Sequence, residues 1–92
     1  MLTAFMLITC ERSALAEVGP RLAEIDGVTE VYTTTGTIDY IAIVRVQDME
    51  ALADLVTNRL RAIPGIARTD THVAMRAYSA TDIDAAFQIG VD

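Results

Sequence analysis

The sequence predicts a single α+β domain with elements in the order β-α-β-β-α-β. Three observations carry that prediction. Short runs that are apolar on both faces, such as Leu2 to Cys10, read as central strands. Two stretches with apolar residues at helical spacing lie between such strands. The segments "LAEIDGV" (Leu22 to Val28) and "LRAIPGI" (Leu60 to Ile66) repeat one pattern, a helix end, a glycine and a β-branched residue opening a strand. The same register superposes the first strand on "IAIVRVQD". Two β-α-β units in succession make the split βαβ, or ferredoxin-like, arrangement. Its four strands form one antiparallel sheet, and right-handed crossovers put both helices on one face.

Each element has its own justification. In Leu2 to Cys10, Phe5 and Leu7 share one face and Met6 and Ile8 the other. Ser13 is placed to cap the next helix. Leu15, Val18, Leu22 and Ile25 give that helix one apolar face, and Pro20 predicts a kink or a restart within it. Gly27 ends it. Val28 to Thr35 reads as the second strand, Gly36 as a turn, and Thr37 to Val46 as the third strand. Asp48 caps the second helix, with Glu50 in its first turn. Leu52, Leu55, Val56, Leu60 and Ile63 line its buried face, and Pro64-Gly65 stops it. Ala67 to Tyr78 reads as the fourth strand. Thr81 can cap a short terminal helix carrying Ile83 and Phe87, with Gly90 after it.

The third strand poses a covering problem. Tyr40, Ala42, Val44 and Val46 point toward the helices, while Ile41 and Ile43 point the other way with little in the chain to meet them. Hydrophobic residues make up 52% of the 92 residues and charged ones 22%, a surplus for so thin a core. A second copy packing sheet on sheet is the simplest cover. The terminal helix folding back is the alternative.

Charge and composition exclude several classes. The formal net charge is −6 and all seven basic residues are arginines, scattered along the chain. That field repels a phosphate backbone, so no direct nucleic-acid binding is expected. The apolar start is too short to span a bilayer and has no basic leader, so a cytoplasmic protein without membrane attachment is expected. Cys10 is the single cysteine and reads as a small buried hydrophobe. His72 is the single histidine. With Asp70 two positions away on one strand face it could shuttle a proton, but such neighbours more often form a surface hydrogen bond. No catalytic constellation, phosphate loop or dinucleotide fingerprint is present, and no metal or cofactor is expected.

What remains is polar and unreactive. "TTTGTID" concentrates four hydroxyls, a turn and Asp39 at a hairpin end, and "ARTDT" places Thr69 and Thr71 on one strand face. Hydroxyls and amides can hold a carboxylate, and an aspartate can hold an ammonium group, which together suit an amino acid. A plain threonine-rich hairpin explains the same residues.

The run "IDGVTEVYTTTGTIDYIAIVRVQDMEALADLV", followed by "LRAIPGIARTDTHVAM", resembles the ligand-binding (RAM) domain of the Lrp/AsnC family. The matching marks are Gly27-Val28, Val31-Tyr32, Gly36 with Asp39, the apolar strand to Val46, Pro64-Gly65-Ile66, and Arg68-Thr69 with Thr71. The resemblance spans residues 2 to 78, so residues 1–78 are read as the domain and 79–92 as an extension with a short helix. It implies an αβ-sandwich homodimer, octameric or decameric rings of such dimers, and an amino acid effector held in clefts between subunits. By motif position Gly36 and Asp39 would form the turn side of the ligand-binding site, and Thr69 and Thr71 would hold the ligand through hydroxyl and backbone groups. Family regulators also carry a helix-turn-helix. With the first strand starting at Leu2, the sequence resembles the stand-alone module, acting in transcriptional regulation of amino acid metabolism alone or co-assembled with full-length regulators. The competing reading is a small dimeric enzyme on the same fold, of isomerase or cofactor-free monooxygenase type. A partner that only caps rings of other subunits is a third.

Overall fold

A computed structural model describes residues 1–80 of the chain. Strand β1 runs Leu2–Cys10, helix α1 Leu15–Ala23, β2 Val28–Thr33, β3 Tyr40–Val46, helix α2 begins at Met49–Asp54, and β4 runs Ile66–Val73. The sheet order is β2-β3-β1-β4, and every neighbouring pair is antiparallel. This is the ferredoxin-like order anticipated from the repeat. The terminal helix expected after Thr81 lies outside the described residues.

Alternation along the strands decides what each face buries. Ala4, Met6 and Ile8 of β1 and Tyr40, Ala42 and Val44 of β3 are buried, and they meet Val18 and Leu22 of α1 and Leu52, Leu55 and Leu60 of the α2 region. The opposite face carries Phe5 and Leu7 of β1 and Ile41 and Ile43 of β3. Phe5 retains 38% of its surface and Tyr32 53%. Adjacent residues across this open face form rows. Glu30, Ile43, Phe5 and His72 make one, and Tyr32, Ile41, Leu7 and Asp70 the next.

The repeated segments are structural equivalents. Leu22 and Leu60 are both buried. Gly27 has φ 101° and Gly65 φ 93°, the left-handed region open to glycine. At Gly65 a β-carbon would also lie 2.1 Å from the Ala14 side chain, so the glycine there serves close packing as well.

Several element boundaries differ from expectation. Ser13 does not cap α1. The chain enters the helix through a 3-10 turn, Arg12–Ala14, closed by the Ala14 amide donating to the Glu11 carbonyl at 3.0 Å, and no side chain caps either turn. Helix α1 runs unbroken through Pro20, which is exposed. Asp48 caps α2 as expected, its carboxylate accepting from the Ala51 amide at 2.9 Å. That helix then widens into a π turn, Leu55–Arg59, and tightens into a 3-10 turn, Leu60–Ala62. Ordinary α spacing would carry Arg59 onto the buried stripe four residues after Leu55. The five-residue turn brings Leu60 there instead, its amide bonding the Leu55 carbonyl. Strand β4 ends at Val73 rather than Tyr78. Its last bond to β1 is the Ala74 amide on the Thr3 carbonyl, 2.8 Å, and β1 begins at Leu2, so later residues have no strand to pair with.

Candidate functional site

Between β2 and β3 the chain makes a six-residue loop, residues 34–39, where a one-glycine turn was expected. The loop replaces the expected ends of both strands. Its neck is closed by the Thr34 amide on the Asp39 carbonyl at 3.1 Å, and the Thr34 hydroxyl donates to the Ile38 carbonyl. Gly36 sits at its tip with φ 98°. Nothing lies within 4 Å of the point a β-carbon would occupy, so conformation alone calls for glycine there.

Asp39 anchors this loop to the sheet. Its amide donates to the Ile8 carbonyl at 2.9 Å, and its Oδ2 accepts from the Cys10 amide at 2.7 Å. Oδ1 has no hydrogen-bond partner among the described residues. The carboxylate therefore fixes the loop with one oxygen and keeps the other for a further donor. The Cys10 amide was not foreseeable as its partner. The two residues are 29 apart in sequence, and only the β1–β3 register brings them together. Burial, and next the nearby Asp39 carboxylate, push the Cys10 thiol above its ordinary range, which keeps it protonated and unreactive at neutral pH.

Thr69 and Thr71 are half-buried and face the helix side of the sheet, opposite Ile8 and Met6. Thr69 borders a cleft of about 490 Å³ between the end of α2 and β4, floored by Leu60, Ile63 and Ile66 with Arg61 at its edge. A guanidinium and a hydroxyl above an apolar floor suit a carboxylate carrying an apolar side chain. Arg61 was missed from sequence because it reads as an ordinary exposed helix residue. Thr37 and Ile38 instead border a smaller cleft of about 250 Å³ on the open sheet face, with Leu7, Thr9, Arg68 and Asp70. Within one chain the structure brings Asp39 and Gly36 into one loop and Thr69 and Thr71 onto one strand. It does not bring the two pairs into one cleft.

His72 and Asp70 also lie on the open face, with Nε2 3.2 Å from a carboxylate oxygen and about 60% of each side chain exposed. Among the described residues no three ligating side chains converge to hold a metal.

The model of the Lrp/AsnC ligand binding domain matches residues 3–83. The chain belongs to this family. Among solved structures, the Lrp/AsnC domain here is similar to TTHA0845 from Thermus thermophilus. The two are 42% identical with a TM-score of 0.81, over 86% of this chain and 99% of that one. Among curated proteins it is 30% identical over 78 residues to the HTH-type transcriptional regulator FL11 of Pyrococcus horikoshii, covering 85% of this chain and 51% of FL11. The chain thus spans about half the length of the curated relatives it matches. A regulator from Neisseria meningitidis solved as a complex with L-Met shares the fold at a TM-score of 0.77 and 19% identity, over 85% of this chain and 52% of that one. The matched family model is a ligand binding domain, and the curated relatives are transcriptional regulators. A ligand-binding domain of transcriptional regulators is a non-enzymatic module, and the isomerase and monooxygenase readings fall with that. Among the described residues no helix is long and apolar enough to cross a membrane.

Proposed function

We propose that this domain binds a small amino acid at a site shared between subunits, and so serves transcriptional regulation of amino acid metabolism. The observation that carries the reading is the separation of the two candidate pairs. Asp39 keeps one carboxylate oxygen without a hydrogen-bond partner among the described residues, while Thr69 and Arg61 border a separate apolar-lined cleft that Asp39 does not line. The first suits an ammonium group and the second a carboxylate, and a second chain packed on this one can complete a site from either. The L-Met complex of the Neisseria regulator supports the ligand class.

The assembly in this reading is a homodimer through the open sheet face, with dimers building octameric or decameric rings in the cytoplasm. In the same reading such rings can also include full-length regulators. Direct DNA contact by these residues is no part of it, given the net charge of −6.

The test begins with thermal-shift measurements across the twenty amino acids, since a ligand of the native state raises the melting temperature by linkage. Calorimetric titration of Asp39→Asn and Thr69→Val with the responding amino acid then addresses the site. An asparagine oxygen can still accept from the Cys10 amide, so the loop persists while the charge is lost. A charged hydrogen bond contributes about 1.5–3 kcal/mol, so affinity should fall about ten- to hundredfold. Unaltered affinity in both variants would place the ligand elsewhere.

A further inference from the structure

The open sheet face is apolar at its centre and charged at both edges. In one row Glu30 stands on edge strand β2 and His72 on edge strand β4, with Ile43 and Phe5 between them. In the next, Tyr32 and Asp70 stand at the edges with Ile41 and Leu7 between. The Tyr32 hydroxyl donates to Glu30 Oε2 at 2.9 Å, which holds the carboxylate on this face. Arg45 and Arg68 share strands and face with these residues by alternation, and Arg45 is turned toward the Thr29 hydroxyl at 3.2 Å.

Two like sheets packed face to face are related by a two-fold axis that lies between them and parallel to both. With that axis along the strands, β2 of one copy covers β4 of the other and the rows keep their heights. Glu30 then faces His72, Ile43 faces Phe5 and Tyr32 faces Asp70. With the axis across the strands, each strand faces its own copy and the rows exchange. His72 then faces Asp70 of the partner subunit. With the axis through the centre of the face, between β3 and β1 and between the two rows, either closure sets the imidazole of one copy over a carboxylate of the other.

We propose that His72 and the carboxylate facing it from the partner subunit form a rim clasp that tightens the dimer when His72 is protonated. The proposal rests on the sheet-to-sheet dimer proposed above. Within its own chain His72 meets Asp70 on β4 and uncharged Phe5 on β1. The pair with its own Asp70 exists before and after association, so it leaves the association constant unmoved. Only the carboxylate from the second copy couples protonation to assembly. His72 is the single histidine, and a histidine changes charge between about pH 5 and 8. A comparison of pH 5.5 with pH 7.0, with a variant lacking the imidazole as control, reports on this side chain.

The experiment is sedimentation equilibrium of the full chain at these two pH values. Where both states stay dimeric at the lowest usable concentration, the rate of subunit exchange between labelled copies replaces it. Two symmetry-related rim pairs correspond to association about two- to thirtyfold tighter at pH 5.5. His72→Gln should abolish the response. Glu30→Gln should abolish it if the axis runs along the strands, and Asp70→Asn if it runs across them. Glu17→Gln, on α1 and away from this face, changes the net charge equally and should leave the response intact. A response that survives His72→Gln, or survives both carboxylate variants, overturns the clasp. A dimer with equal affinity at both pH values overturns the clasp and leaves the dimer standing. A monomer throughout overturns both.

Discussion

Cys10 and Asp39 show how a single backbone contact reassigns two side chains. Asp39 reads from sequence as either a ligand group or a turn residue. Holding the Cys10 amide at 2.7 Å, it is a loop anchor already, with one oxygen left over. The same contact sets the chemistry of Cys10, whose thiol is pushed up by burial and then by the Asp39 carboxylate. The folded state therefore favours the protonated thiol. That contribution to stability is fully present below the thiol's unfolded value and is lost as pH rises through the higher folded value. Alkylation of Cys10 by iodoacetamide at pH 8 should accordingly run several-fold slower in the folded protein than in urea, because only the thiolate reacts. In Asp39→Asn one of the two causes disappears, so the folded rate should rise toward that of the unfolded chain without reaching it. A folded rate equal to the unfolded one in the unmodified chain would show Cys10 to be an open, unperturbed thiol.

At the scale of elements, most of the fold was legible and most boundaries were not. Alternation assigned Ala42 and Val44 of β3 to the helix side and put Met6 and Ile8 on one face of β1, because a period of two admits one answer once a face is buried; that face of β1 is the helix side. The repeat placed Gly27 and Gly65 at equivalent junctions. The ends of β2, β3 and β4 were misjudged because they depend on partners. Thr35 and Thr37 leave the ladder for a loop closed at Thr34 and Asp39, and residues after Ala74 outrun β1. The candidate site was legible as two polar groups, but not their separation into a loop and a strand that share no cleft. The π turn had a signal that went unused, the five-residue step from Leu55 to Leu60. It also makes a prediction. Deleting Thr57, which is exposed, would restore the four-residue α step and leave Leu60 on the core, so melting should shift by only a few degrees. Deleting Ala53 would rotate Leu55, Leu60 and Ile63 away from Leu52. That cost resembles several large-to-small core changes at about 2–5 kcal/mol each, enough to unfold a domain of this size. Equal losses in the two deletion variants, followed by circular dichroism, would refute this account of the turn.

Among the described residues the domain is a sheet covered by helices on one side. Ile41 and Ile43 are half-buried between Phe5, Leu7 and the edge residues, an apolar centre with no helix above it among the described residues. Replacing both with aspartate should convert the proposed dimer to monomer, with sedimentation velocity as the readout. A stable monomer of the unmodified chain at micromolar concentration would remove the premise. The pairing of β4 with β1 has a different consequence. The start of β1 and the end of β4 lie side by side and antiparallel, joined by the Ala74 amide on the Thr3 carbonyl. They are two arms of a hairpin that lacks only its bend. Topologically, then, the domain is close to a closed ring, and where its chain starts is almost a matter of convention. A short linker from Ala74 to Leu2 in place of residues 75–92, and a cut at Gly36, where a side chain would touch nothing among the described residues, would yield a circular permutant with the same four strands in the same sheet, its first element β3 and its last β2.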